Sequence, residues 1–154
     1  MFRHLFALTR DGHIRVRLDD TMRALLRQAS EELREVLLVD EPALTRRLYP
    51  TAYPDDEEFE DDYQELVHDQ LLMQRLDGID KLQASIDDEE ISFEVADVWM
   101  NTINQLRLVL GTQLDVSEDQ VEIDEEDPLA TSHVVYQVLS YVLEELTRVR
   151  LGSL

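Results

Sequence analysis

The first eighteen residues carry a period of two. Phe2, Phe6 and Leu8 fall on one side of a first segment, and Ile14, Val16 and Leu18 on one side of a second. That is the pattern of two strands with one buried face. Arg10-Asp11-Gly12 lies between them, with Gly12 suited to a positive φ. A two-residue Asp-Gly loop would set Leu8 opposite Arg15 and Phe6 opposite Arg17. A three-residue loop with a glycine bulge sets Leu8 opposite Ile14 and Phe6 opposite Val16. Only the second register gathers the apolar residues on one face. The reading is a β-hairpin over 2–18, lying on helices because an isolated hairpin is marginal. Its edges must be covered, paired or charged, and Arg15 and Arg17 suit that task.

The period then changes to that of helices. Met22, Leu25, Leu26, Ala29, Leu33, Val36 and Leu37 mark a helix over 20–39, with Asp19 and Asp20 as cap candidates and Asp40-Glu41-Pro42 as its stop. Asp55…Glu58 reads as a capping box for a helix over 55–86. Phe59, Tyr63, Leu66, Val67, Leu72, Met73, Leu76, Ile79 and Leu82 form its expected core stripe, and Gly78 marks an expected kink. Asp87 to Glu90 separates it from a helix over 94–110, with Val95, Trp99, Ile103, Leu106 and Leu110 inward and Gly111 as its stop. Ser117…Gln120 is a second capping box. Asp127-Pro128 opens a last helix over 128–150 that carries Val135, Val138, Leu139, Val142, Leu146 and Val149. Residues 1–154 therefore read as one mainly α (α+β) domain, a four-helix-type bundle with an N-terminal β-hairpin. No run of apolar residues is long enough to span a bilayer, and no basic leader precedes one, so a soluble, cytoplasmic chain without membrane partners is expected.

Charge changes this picture. The 154 residues carry a formal charge of -21. Residues 1–50 sum to +1, residues 51–130 to -22 and residues 131–154 to zero. The acidity belongs to the middle of the chain. Direct sequence-specific DNA binding needs a basic stripe, and none is present. An acidic field steers basic protein partners instead. A mimic of nucleic acid that occupies a basic groove is an alternative reading of the same charge.

Few constellations could carry chemistry. There are no cysteines, which removes thiol nucleophiles, thiolate metal sites and disulfides. The glycines at 12, 78, 111 and 152 are too scattered for a phosphate loop. Ser132 and His133 are adjacent and project in different directions on a helix, a poor nucleophile–base pair. Glu65-x-x-His68 has the spacing that di-metal bundles use, but no second copy occurs. Glu65 and His68 are thus weak metal candidates, and the basis of an alternative reading as a metal-binding helical-bundle enzyme. Asp115 to Glu126 resembles a calcium loop, with Gln120 where the sharp turn needs glycine. No catalytic residue, cofactor or resident metal is expected.

The most distinctive stretch runs from Arg46 through Arg47, Tyr49 and Pro50 to Tyr53 and Pro54. Its two prolines forbid regular helix and extend the tyrosines before them. Tyrosine and arginine dominate interaction hot spots. Arg46, Arg47, Tyr49, Pro50 and Tyr53, with the adjoining Asp56, Glu57 and Glu58, are the candidate partner-binding residues. Packing onto the core edge is the simpler reading for the tyrosines, and for Trp99.

The stretch RLYPTAYPDDEEFEDDYQEL (Arg47 to Leu66), with NQLRLVLGTQLDV (Asn104 to Val116), resembles the actinobacterial domain of unknown function 2017 family, with which AosR-type oxidative-stress regulators are associated. The resemblance implies a noncatalytic regulatory or adaptor protein that acts through protein–protein interaction. It implies a partner in the transcription machinery, a sigma factor among the options. It supplies no catalytic residue. A thiol-based redox role could not operate here, which leaves methionine as the oxidisable side chain. Self-association is left open by the hairpin edges.

Overall fold

A computed structural model describes residues 4–39, 45, 48–49, 51–114 and 130–152. Strands β1 (Phe6–Leu8) and β2 (Ile14–Val16) pair antiparallel, with Phe6 opposite Val16 and Leu8 opposite Ile14. This is the register that the apolar pattern selects. Gly12 has φ 79°, and the turn is closed by Thr9 N donating to His13 O at 2.9 Å. The strands are shorter than the expected hairpin, and Phe2 lies outside the described residues.

A third strand, β3 (Glu90–Ile91), pairs with the other side of β2. In the sequence, residues 87–90 read as a plain separator, because two residues are too few to show alternation. So β2 is central. Arg15 does not guard an open edge: it faces Glu90 across the β2–β3 pair, at 3.7 Å.

Four helices are present among the described residues: α1 (Asp20–Val39), α2 (Glu57–Ser85), α3 (Phe93–Leu114) and α4 (Ala130–Leu151). The protein is thus mainly α, with a small antiparallel sheet. Asp19 Oδ1 accepts from Met22 N at 2.8 Å and caps α1. The cap of α2 is Asp56, which accepts from Phe59 N at 3.1 Å, so the expected Asp55…Glu58 box is displaced by one residue. Ser92 caps α3. That helix runs through Gly111 to Leu114, because Thr112 and Leu114 gain burial that outweighs the roughly 1 kcal/mol cost of glycine. Helix α2 likewise runs uninterrupted through Gly78. A Cβ there would meet Thr102 Oγ1 at 3.0 Å, so this glycine serves close approach of α2 and α3 and marks no break. Asp40 to Pro42, Ser117…Gln120, the calcium-like segment and Asp127-Pro128 lie outside the described residues.

The core joins the inward faces of all these elements: Phe6, Ile14, Leu26, Leu33, Leu37, Ile79, Leu82, Trp99, Ile103, Leu139 and Leu146 are all nearly or fully buried. Helices α3 and α4 pack most extensively, α2 lies on α3, and α1 bridges α2 and α3. Polar groups lock the seams. Arg34 Nη2 reaches Asp80 Oδ1 at 2.7 Å and Gln83 Oε1 at 2.9 Å, tying α1 to α2. Arg23 donates to the carbonyls of Leu18, Val16, Ile86 and Asp88, so one guanidinium joins α1, the end of β2 and the loop after α2. No helix among the described residues is long and apolar enough to cross a membrane.

Candidate functional site: the aromatic strap and the outer face of α2

Residues 48–49 and 51–54 lie along the first two thirds of α2, from Arg75 back to Glu60, as a strap. Leu48 is buried. Its carbonyl accepts from Arg75 Nη2 at 2.6 Å, and the Arg75 guanidinium sits 4.7 Å above the Tyr49 ring. On the same helix the His68 imidazole stacks on Tyr49, with centroids 4.1 Å apart. Tyr49 is thereby half-buried between two side chains from α2, an arrangement worth about 1 kcal/mol beyond the area it covers.

The next turn is fastened by a carboxylate. Glu60 Oε2 accepts from Tyr53 N at 2.7 Å and Ala52 N at 2.9 Å, while Gln64 Nε2 donates to Oε1 at 2.8 Å. The Gln64 side chain first, and then the Tyr53 and Ala52 amides, favour the charged form and hold this carboxyl below the usual glutamate range. Proline at 50 and 54 lacks an N–H, but the amides between them are free to point at Glu60. The Tyr53 ring meets Tyr63 edge-on at 5.7 Å and leans on Phe59 at 6.0 Å.

Of the candidate partner-binding residues, the structure brings Tyr53, Asp56, Glu57 and Glu58 to the N-terminal end of α2 and places Tyr49 against its middle, at His68 and Arg75. Tyr49 packs inward, Tyr53 is half exposed, and Asp56 is engaged as the cap. Glu57 and Glu58 are exposed. Arg46, Arg47 and Pro50 lie outside the described residues. Glu65 and His68 do not form a ligand pair of a larger set: Glu65 is exposed, His68 is stacked on Tyr49, and no group of three or more metal-ligating side chains gathers among the described residues. Trp99 is fully buried and donates to Ser85.

The largest difference from the sequence reading concerns α2. Phe59, Leu66 and Met73 are not core residues. They are 62%, 78% and 67% exposed. The fully buried apolar residues of this helix, Ile79 and Leu82, lie near its C-terminal end. The signal for this was present: residues at 59, 66 and 73 stand on the side opposite Leu82, since nine residues from Met73 is half a turn out of phase at about 100° per residue. A groove of about 240 Å3 also lies between α2 and α3 beside Gly78. Two of its lining residues, Arg75 and Gln105, each bury one polar atom (Nη1 and Oε1) that has no hydrogen-bond partner among the described residues.

Fold and site together define a helical domain with a small β annex and an outward-facing acidic, apolar-striped helix. A family model described as a domain of unknown function, DUF2017, matches residues 2–150. The chain belongs to that family. No curated protein and no solved structure matches it.

Proposed function

We propose that this is a noncatalytic regulatory or adaptor protein that works by binding another protein. The observation that carries the reading is the exposure of Phe59, Leu66 and Met73 along one side of α2, within the most acidic part of the chain. Grouped large apolar side chains in water are costly and mark interaction sites. The likeness to AosR-type stress regulators of actinobacteria favours a cytoplasmic setting and a partner in transcription, such as a sigma factor. Its signal is then not thiol oxidation, since the chain has no cysteine.

Crosslinking and mass spectrometry in an actinobacterial lysate test this. Lys81 is the lone lysine, so carboxylate-directed reagents are the suitable chemistry. A stoichiometric partner released by salt is expected. Failure to recover one under several stress conditions would remove the reading.

A further inference from the structure

The outer face of α2 has a definite pattern. Phe59, Leu66 and Met73 recur every seventh residue. In a straight helix such residues drift by only about 20° per step, so they stand nearly in line over about 21 Å. Along one side of this line run Glu58, Asp62, Glu65 and Asp69, spaced four, three and four residues apart. That spacing makes a continuous acidic ridge. All four are exposed, and none forms an ion pair with a described residue. The other side carries Tyr63, Gln70 and Gln74, which are uncharged. The line ends at Asp77, whose carboxylate is already paired with Lys81 at 3.0 Å.

We infer that this face docks a basic amphipathic helix of a partner protein. The partner helix carries apolar residues at matching three- and four-residue spacing, and Lys or Arg on the flank that meets the ridge. The inference rests on the adaptor reading above and narrows it to one surface and one chemistry. Helices recognised this way anchor through residues at i, i+3 or i+4 and i+7. The apolar line supplies buried area, while the ridge selects the sign of the partner and speeds encounter. A second copy of this chain is a poor occupant. Face to face, it would bring the ridge of Glu58, Asp62, Glu65 and Asp69 against another ridge of the same sign. Nucleic acid is repelled for the same reason.

The probe is a synthetic amphipathic peptide of about 20 residues, long enough to cover the line with a turn to spare. It has Leu on one face and Lys along the flank, and its twin carries Glu for each Lys. Binding to the full chain is read by fluorescence anisotropy. The Lys peptide is expected to bind, more weakly as salt rises, and the Glu twin not to bind. Leu66→Ala with Met73→Ala is expected to weaken binding at least about tenfold. Glu58→Gln, Asp62→Asn, Glu65→Gln and Asp69→Asn together are expected to weaken it and flatten its salt dependence. Val134→Ala with Tyr141→Ala, at exposed apolar positions on α4, should leave it unchanged. Should the Leu66/Met73 pair lower the melting temperature, Leu66→Gln alone, at a position 78% exposed, carries the same reading.

Equal binding of the Glu twin, indifference to Leu66 and Met73, or a dimer of this chain that these substitutions dissolve would each overturn the inference. A crosslinked partner seated on another surface would overturn it and leave the adaptor reading standing. Recovery of no partner at all would remove the adaptor reading itself.

Discussion

The indole Nε1–H of Trp99 donates to the Ser85 hydroxyl at 2.7 Å, joining the last residue of α2 to the second turn of α3. Ser85 in turn donates to Lys81 O at 2.8 Å, so a buried donor is satisfied by a short relay ending on helix backbone. Ser85→Ala leaves the indole unpaired in the core, at a cost of about 1–3 kcal/mol. Urea unfolding followed by the emission of this sole tryptophan should show a lower midpoint with an unchanged slope. An unchanged midpoint would mean that the relay adds nothing.

Arg23 is the second expected weak point. Its guanidinium serves four carbonyls from two segments, a task that needs a planar fork of donors. Arg23→Lys should cost nearly as much as Arg23→Ala, about 2–3 kcal/mol. It should also speed hydrogen exchange of Val16 N, which bonds to Glu89 O beside this cluster. A lysine variant of wild-type stability would show that charge alone suffices.

Gly78 tests the contact between α2 and α3. Alanine is the better helix former by about 1 kcal/mol. Its Cβ would nevertheless stand 3.0 Å from the Thr102 hydroxyl oxygen, in a site where Thr102 is buried. Overpacking of this kind costs about 1–3 kcal/mol, so Gly78→Ala should be a net loss of about 1 kcal/mol. With Thr102→Ala in the same chain, the loss contributed by Gly78→Ala should disappear. A double-mutant cycle by thermal melting measures that coupling.

The strap should respond to pH through Glu60. Its folded-state carboxyl lies below the ordinary range, because the Gln64 side chain and the Tyr53 and Ala52 amides stabilise the charged form. A depressed pKa contributes stability that is present above the unfolded value and lost as pH falls through the folded one. The strap is therefore held at neutral pH and released by acid. The backbone amide resonances of Ala52 and Tyr53 should shift together on acidification, with a midpoint lower than that of an ordinary glutamate. Glu60→Gln should abolish that titration.

How far the sequence discloses this molecule differs from element to element. The β1–β2 register was legible because the two loop lengths put different residues opposite Phe6 and Leu8, and only one buries them all. Helix α1 was legible from cap to last turn. Strand β3 was not, since two residues show no period. The outer line of α2 is hidden for a physical reason: Phe59, Leu66 and Met73 have the spacing of a buried stripe, and only their phase, half a turn from Leu82, turns them outward. The cap of α2 reads one residue too early, at Asp55, because either aspartate before the helix can cap it and the sequence does not choose between them. The Tyr49 stack and the Glu60 clasp join side chains to a stretch without regular structure, where no period exists to read. Glu65 and His68 share a helix spacing, but the partner that His68 meets, Tyr49, comes from the strap, which no helix period could disclose.

Helix α2 is 29 residues long, about 43 Å, while its buried residues are Ile79, Leu82 and Ser85. In mechanical terms it is a cantilever: from Leu72 onward it is clamped against the core, and the N-terminal half forms an arm braced, among the described residues, by the strap. Inside the clamp, Gly78 lets α2 approach Thr102 of α3 closely. The packing around Trp99 thus stands beyond the direct reach of whatever grips the tip, and the tip can change its grip without remaking the core.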